Sequence, residues 1–288
     1  MRGISMAATL RNELKDDECV AFLQWALPLM GMRWQGFRRV RGQVKKRIAR
    51  RLHDLGLDGL QAYREHLERN PSEWDVLQSM CRITISRFYR DHAVFESIGK
   101  TVLPVLAGLA ESENRSEMRA WSAGCASGEE PYGLLLAWMF GCSSSFPAIT
   151  LKVLATDVDE GVIARARTAE YGKGSLRELP PEWVAQAFEE TGGRFRIRQE
   201  WRNQVMFLVQ DISREWPEGL FDLILCRNLV LTYFDEANQA RVLLELTRRL
   251  VPGGVMAIGI HEQIPSWLTD LEPWDGCRAI FRKRLTAT

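Results

Sequence analysis

The first part of the chain has apolar residues at helical spacing and no alternation typical of strands. The segment 33–52 carries nine Lys or Arg residues and no acid, while apolar side chains recur at every fourth position: Val40, Val44, Ile48 and Leu52. This spacing predicts an amphipathic helix with a narrow apolar stripe and a basic remainder. A second helical pattern covers Leu60–Leu67 and stops at Asn70-Pro71. Ser72 is placed to cap a third helix that begins near Glu73.

From Met118 onward, short apolar or β-branched runs alternate with helical patterns. The strand-like runs are Arg119–Cys125, Leu151–Val158, Val205–Ile212, Phe221–Arg227 and Gly254–Ile260. The helical patterns that separate most of them are Glu129–Phe140, Glu160–Tyr171 and Asp235–Val251. This alternation predicts βαβ units, and therefore an α/β fold with a parallel sheet that is covered on both faces.

Two segments interrupt the alternation. Residues 172–204 form a long connection in which Arg194–Arg198 resembles a strand of a small antiparallel insert. The final run, Cys277–Leu285, has the pattern of a last strand with no helix after it. We therefore predict a helical N-terminal domain over residues 1–75, a linker region over 76–105 and a sheet domain over 106–288.

Composition narrows the class of protein. The 288 residues include 38 basic and 37 acidic side chains, and 46% are apolar, as in an ordinary globular protein. Six cysteines without a CxxC pair and four scattered histidines predict neither a disulfide scaffold nor a metal site, and they fit a reducing cytoplasm. The apolar stretch Val20–Met32 is too short to span a bilayer, so no membrane insertion is expected. A net charge of +1 argues against nucleic-acid binding.

The segment Trp121–Tyr132 (WSAGCASGEEPY) lies where the first predicted strand turns into a helix. Gly124 and Gly128 allow a ligand to approach the backbone closely. Glu129 and Glu130 at the helix start would repel a phosphate, and no phosphate-binding glycine motif is present. The loop therefore favours a ligand with a cationic part, although a purely structural glycine turn is the alternative.

Polar residues end the next three strands. Asp157 can accept hydrogen bonds from both hydroxyls of a ribose, although Asp159 beside it fits better as a helix cap. Gln210-Asp211 can receive the exocyclic amine of adenine, and Arg227-Asn228 follows the apolar run FDLILC. Taken together, these residues predict a nucleoside site across one sheet edge. Adenosine with a sulfonium and an amino-acid group, which is S-adenosylmethionine, fits this order without a phosphate loop.

The motifs WSAGCASGEEPY, ATDVD, FDLILCRN, TYFD and VPGG resemble those of the CheR family, the chemotaxis receptor methyltransferases that act on protein glutamates. The segment Thr84–Arg90 (TISRFYR) is similar to a stretch before that family's catalytic domain, and the likeness covers roughly residues 35–285. It implies a Rossmann-like methyltransferase sheet with a small β insert, S-adenosylmethionine as cofactor and S-adenosylhomocysteine as product.

The resemblance also implies roles for individual residues. Ser86 and Arg90 would face the methionine end of the cofactor, with Arg90 near the substrate carboxylate. Around the cofactor would lie Ala123, Gly124, Glu129, Asp157, Asp211, Ile212, Arg227 and Asn228. Tyr233 would stand near the transferred methyl group, so Arg90 and Tyr233 are the candidate catalytic residues.

Three departures from the family pattern affect these assignments. RNLVLTYF has one more residue between Asn228 and Tyr233 than is usual, so either Thr232 or Tyr233 can face the methyl group. Asp211 stands where the family often has Asn. The segment Gly259–Glu262 alters a wall of the acceptor pocket.

The acceptor stays open at this point. A glutamate carboxylate is ionised at neutral pH, with a pKa of about 4.3, and needs no base. An amine or hydroxyl acceptor, on a small molecule or another protein side chain, would need one, and His261 and Tyr233 are the candidates. A cofactor-binding regulatory module without turnover is the third hypothesis.

The basic segment 33–52 has two interpretations. It is either a solvated helix with partly paired arginines or a docking face for an acidic partner. The family resemblance favours docking of a protein substrate, a chemoreceptor-like helical bundle, on this segment.

Overall fold

The computed structural model describes residues 14–285 and divides into two compact units between Ile83 and Thr84. The predicted linker region, 76–105, falls on both sides of this division. Residues 1–13 of the predicted helical domain and the last three residues of the chain lie outside the described part.

The first unit contains five helices and no strand among its described residues. They are α1 (Asp16–Leu29), α2 (Trp34–Phe37), α3 (Arg41–Leu55), α4 (Leu60–Arg69) and α5 (Glu73–Met80). The apolar stripe predicted for the basic segment is buried in α3 at Val44, Ile48 and Leu52. Helix α3 ends at Gly56 because a left-handed residue there, with φ of 65°, turns its N–H back to the His53 carbonyl.

Helix α5 begins at Glu73, as the sequence predicts, but the predicted cap is wrong. Ser72 has helical backbone angles and its hydroxyl caps no N–H. The start of the helix is held instead by Glu73 itself, which is only 5% exposed. Its carboxylate accepts hydrogen bonds from Nε and Nη2 of Arg51, at 2.9 and 2.6 Å, and from the Tyr63 hydroxyl at 2.8 Å. This buried group joins α3, α4 and α5.

The second unit opens with a helical stretch, α6 (His92–Ser97) and α7 (Leu103–Ser112), joined by a π-helical turn over Ile98–Val102. Among the described residues, this stretch alone is long and apolar enough to cross a membrane by length and composition. Its side chains at Val94, Phe95 and Leu106 belong to the hydrophobic core of the unit. Core helices meet the same criterion, so the finding is weak evidence for a membrane span.

The remaining helices of the second unit follow the chain in this order: α8 (Glu129–Gly141), α9 (Glu160–Thr168), α10 (Pro181–Ala187), α11 (Gln199–Arg202), α12 (Val230–Tyr233) and α13 (Glu236–Arg248). Its strands are β1 (Glu117–Ala123), β2 (Thr150–Asp157), β3 (Glu170–Gly172), β4 (Phe188–Thr191), β5 (Arg194–Ile197), β6 (Val205–Val209), β7 (Phe221–Leu225), β8 (Leu250–Ala257), β9 (Leu271–Trp274) and β10 (Cys277–Lys283).

The large sheet has seven strands in the order β6-β2-β1-β7-β8-β10-β9. The first five of these are parallel, and β10 is antiparallel to both of its neighbours. The central strand β7 is buried at every position, as expected for a parallel strand covered on both faces. The predicted α/β class and the last strand without a following helix are confirmed, whereas β9 has no counterpart among the predicted strands.

Strand order reverses at β1, which pairs with β2 on one side and β7 on the other. The loops that leave β1 and β7 therefore diverge and open a crevice at the carboxyl ends of the strands. The predicted small insert is a separate antiparallel sheet, β3-β5-β4, with Arg194–Ile197 as its central strand.

We expect Glu73→Gln to lower the free energy of unfolding of the first unit by about 3 kcal/mol, since it breaks a buried ion pair. Hydrogen bonding by Arg51 holds the pKa of Glu73 below its usual value. The contribution of Glu73 is therefore complete above the ordinary carboxyl pKa and is lost as pH falls through the lowered pKa. Urea unfolding followed by tryptophan fluorescence should show that the difference in unfolding free energy between wild type and variant becomes smaller as the pH is lowered.

The matched control is Glu68→Gln, which removes the exposed pair with Arg64. We expect that variant to change stability by less than about 0.5 kcal/mol. Equal effects of the two substitutions would contradict the role of Glu73.

Candidate functional site

The loop after β1 forms a backbone cradle. Gly124 has φ of 80°, and a Cβ atom there would lie 2.4 Å from Cδ2 of Leu229, so only glycine fits. The N–H groups of Gly124 and Cys125 both donate to the Thr156 carbonyl, at 2.8 and 2.9 Å. Ala123 is buried at the end of β1, directly before this turn. The loop is thus fixed to the neighbouring strand β2, with its backbone close to the crevice.

Glu129, the first residue of α8, is 7% exposed. Burial raises the pKa of its carboxyl, while hydrogen bonding at its own backbone and the nearby Ser86 hydroxyl act in the opposite direction. Its Oε2 atom is buried without a hydrogen-bond partner. A buried carboxylate oxygen without a donor is costly, so this position favours a cationic ligand that donates to it.

Asp157 ends β2 and faces the cradle. One carboxylate oxygen accepts from the Ala126 N–H and the other from the Asp159 N–H, each at 3.0 Å. These two bonds fix the carboxylate in place at the end of β2. Asp159 caps α9 by accepting from the Val162 N–H at 3.1 Å, as predicted.

The end of β6 presents Gln210, Asp211 and Ile212. Asp211 Oδ1 accepts from the Ser213 N–H at 2.9 Å, while the Ile212 side chain is part of the core. Oε1 of Gln210 is buried without a partner. The orphaned acceptor at this strand end therefore belongs to Gln210, which the sequence suggested only as an alternative to Asp211.

Arg227 follows β7, and its side chain is only 2% exposed. The guanidinium contacts the carboxylates of Asp91 at 2.8 Å and Glu130 at 3.0 Å, and donates to the Arg90 carbonyl at 2.6 Å. It also lies 5.1 Å from the centre of the Phe95 ring. The cation that we predicted beside the cofactor is thus already paired within the protein, where it holds the Arg90-Asp91 turn against the start of α8.

Asn228 has φ of 53°, in the left-handed region. Its N–H donates to Oε2 of Glu262 at 2.9 Å. A short loop after β8 carries Glu262, which the sequence marked only as part of an altered pocket wall. The sequence analysis missed Asp91 and the pairing of Glu130, although a buried arginine requires acidic partners. It also missed the bond between Glu262 and Asn228.

The charge of one candidate catalytic residue, Arg90, acts on the other, Tyr233. Burial raises the pKa of Tyr233, the positive charge of Arg90 lowers it, and the negative charge of Glu262 raises it. Nη1 of Arg90 also donates to the Ile85 carbonyl at 2.8 Å. Tyr89 and Asp91, on either side of Arg90, both have left-handed backbone angles, which is uncommon outside functional sites.

Other candidates do not enter the site chemistry. His261 is exposed. Cys125 and Cys226 are buried, and burial raises the pKa of both thiols well above the usual value. Thiols of this kind are unreactive, so neither cysteine is a candidate nucleophile.

The chain matches two domain families and several related bacterial proteins. Residues 84–277 match the family described as CheR methyltransferase, SAM binding domain, and residues 40–79 match its all-alpha domain. The chemotaxis protein methyltransferase of Listeria monocytogenes is 32% identical over 77% of this chain and 81% of its own length. The corresponding Salmonella typhimurium protein is 34% identical over 77% and 76%. The Escherichia coli protein is 32% identical over the same shares.

Proposed function

Because this chain belongs to the family of CheR methyltransferases, and is therefore an S-adenosylmethionine-dependent methyltransferase, we propose that it esterifies glutamate carboxylates of a chemoreceptor in the cytoplasm. The observation that carries the proposal is the buried, unpartnered carboxylate oxygen of Glu129 beside a glycine cradle. It fits the ammonium group of the cofactor's amino acid.

The cofactor site that we propose follows the sheet edge. Glu129 would bind the ammonium group, with Ser86 beside it. The backbone of Ala123 and Gly124 would lie along the methionine part. Asp157, whose carboxylate is fixed at the end of β2, would accept hydrogen bonds from the two ribose hydroxyls.

The adenine would bind at the end of β6. The buried, unpartnered Oε1 of Gln210 can accept from the exocyclic amine, alone or with Asp211. Ile212 would supply an apolar contact beside the ring. We retain Asp211 and Ile212 as adenine-side residues and add Gln210, because a buried amide oxygen without a donor requires one.

The cofactor supplies an electrophilic methyl group, so the protein needs to align the acceptor and exclude water. Arg90 and Tyr233 would hold the acceptor carboxylate. Too tight a pairing with Arg90 would stabilise the ground state and slow the reaction, so moderate binding by two donors serves better. Arg227 and Asn228 would form the wall on the sulfonium side, with Arg227 acting through the Arg90-Asp91 turn.

A carboxylate acceptor fits these residues better than an amine or a hydroxyl. Burial raises the pKa of Tyr233, which keeps its hydroxyl protonated at neutral pH. Tyr233 is therefore a hydrogen-bond donor rather than a base. A carboxylate needs no base, whereas an amine or hydroxyl acceptor does.

The chemoreceptor would dock on the basic segment 33–52. Within the first unit, Arg41 pairs with Asp16, Arg51 pairs with Glu73, and Arg47 donates to two backbone carbonyls. Within segment 33–52, four exposed cations form no ion pair with any described residue: Arg38, Arg39, Lys46 and Arg50. This exposed positive charge fits an acidic protein surface.

We expect labelled methyl groups from S-adenosylmethionine to enter a protein of the source organism's lysate and to be released by mild base. Carboxyl methyl esters hydrolyse in base and N-methyl groups do not. Asp157→Ala should abolish the labelling by weakening cofactor binding. Base-stable label, or label in a small molecule, would contradict the glutamate proposal. Binding of S-adenosylhomocysteine without any transfer would indicate a regulatory module.

We expect the affinity for S-adenosylhomocysteine to fall as pH is lowered from neutrality toward the ordinary pKa of a glutamate. Burial raises the pKa of Glu129, so it takes up a proton earlier than an ordinary glutamate and loses its attraction for the ligand's ammonium group. Glu129→Gln should bind about 10-fold or more weakly at neutral pH, from the loss of a charged hydrogen bond, with a flatter pH response. Calorimetry measures both.

The control for this titration is Glu160→Gln, an exposed residue of α9. It should keep the wild-type affinity and pH response. A pH response that survives in Glu129→Gln would contradict the assignment.

We expect the double variant Lys46→Glu/Arg50→Glu to raise KM for a chemoreceptor cytoplasmic fragment several-fold at low salt, without changing the affinity for S-adenosylhomocysteine. Added salt should reduce the difference from wild type, because it screens exposed charges. Lys100→Glu/Arg278→Glu makes the same change in net charge elsewhere on the surface and should have little effect. Equal effects of the two double variants would contradict docking on segment 33–52.

A further inference from the structure

The carboxylate of Glu262 connects the stretch 228–232, which follows β7, to the turn 259–262, which follows β8. Oε2 accepts from the N–H of Asn228 at 2.9 Å and from the N–H of Gly259 at 2.6 Å. Oε1 accepts from the Thr232 hydroxyl at 2.5 Å. Both oxygens are therefore engaged, and the donors come from the end of β7, from the end of β8 and from α12. We call this group of four residues the Glu262 clamp.

Each segment that the clamp holds needs an external anchor. Asn228 has a left-handed backbone, a conformation that non-glycine residues adopt at a cost. At Gly259 a Cβ atom would lie 2.8 Å from Oε2 of Glu262 and 2.9 Å from Oδ1 of Asn228, so the clamp closes only around glycine. Helix α12 is four residues long, and no side chain caps its start.

The clamp also engages one of the two α12 residues that the sequence left as alternatives. The sequence left Thr232 and Tyr233 as alternatives for the position near the methyl group. In the structure the Thr232 hydroxyl donates to Glu262, and the Tyr233 hydroxyl lies within the electrostatic influence of Arg90 and Glu262. Because Thr232 is held, the next side chain along this short helix has a fixed direction.

We propose that Glu262 is a positioning residue, which orients Tyr233 for the acceptor side of the methyl transfer by holding α12. This inference rests on the proposed function. Its action is geometric: a carboxylate of this length places two oxygens where three donors, from the stretch 228–232 and from the turn 259–262, converge. Alignment within about an ångström affects the rate of a displacement strongly, so loosening α12 would slow transfer without touching the cofactor.

Three substitutions of Glu262 separate geometry from charge. Gln has the same length, and its carbonyl oxygen can accept from both N–H groups while its amide faces the Thr232 hydroxyl, which also accepts. Asp keeps the charge but is one methylene too short to reach all three donors. Ala removes the clamp. A positioning role therefore predicts that Gln is tolerated and that Asp behaves as Ala does.

The experiment uses the full chain, S-adenosylmethionine with labelled methyl and a chemoreceptor cytoplasmic fragment as acceptor. We expect Glu262→Ala and Glu262→Asp to lower kcat about 100-fold, as mispositioning does, with affinity for S-adenosylhomocysteine within about threefold of wild type. Glu262→Gln should keep kcat within about fivefold. A higher kcat for Glu262→Asp than for Glu262→Gln would overturn the proposal, because the negative charge would then act directly.

Thr232 supplies a matched pair of variants. Thr232→Ser keeps the hydroxyl and should transfer as wild type does, whereas Thr232→Val is isosteric, removes the donor and should reproduce part of the loss of kcat. Equal activity of the two variants would overturn the proposal. So would a parallel loss of cofactor affinity and thermal stability in Glu262→Ala, which indicates a merely structural role.

Thermal unfolding tests the clamp even if the proposed function fails. If the wild-type chain transfers no methyl group to any acceptor, the proposed function is refuted. The double-mutant cycle of Glu262→Ala and Thr232→Val should still show coupling of the two residues in the free energy of unfolding. Additive effects of the two substitutions on the free energy of unfolding would contradict the existence of the clamp.

Discussion

The buried guanidinium of Arg227 is the interaction on which the arrangement of the site depends. A charge removed from water must be paired, and Arg227 finds its partners on the Arg90-Asp91 turn and on Glu130 of α8. The three segments that line the crevice are therefore fixed relative to one another by one cation. The left-handed backbone on either side of Arg90 persists because this pairing outweighs its cost.

The site contains two kinds of carboxylate, which differ in whether their partners lie within the chain. Those of Glu130 and Glu262 are satisfied by protein donors and hold the walls. That of Glu129 keeps one oxygen without a donor, and its pKa rises because burial penalises the charge. A protein that leaves such a group incomplete at a glycine cradle provides a place for a cation. The paired carboxylates of Glu130 and Glu262 hold the walls of the site, and the carboxylate of Glu129 favours a cationic ligand.

Hydrophobic periodicity predicted the central strands and the helices between them, because these elements are long and apolar enough to determine their own conformation. The edge strand β9 escaped prediction, since Leu271–Trp274 is short and contains a proline. Ser72 was a reasonable cap by composition, yet buried Glu73 fixes the start of α5 through Arg51 and Tyr63. Contacts with residues distant in sequence fix the start of α5, and local sequence propensity contains no information about such contacts.

The sequence by itself determined the class of fold, the order of polar residues at the strand ends and the family. These follow from local patterns: period, strand-end chemistry and motif spacing. Only the tertiary structure showed that Arg227 is paired within the chain, that Gln210 holds the orphaned acceptor, and that Thr232 binds Glu262 while Tyr233 lies near Arg90. The reason is physical: whether a polar group is available to a ligand depends on which donors and acceptors folding brings beside it.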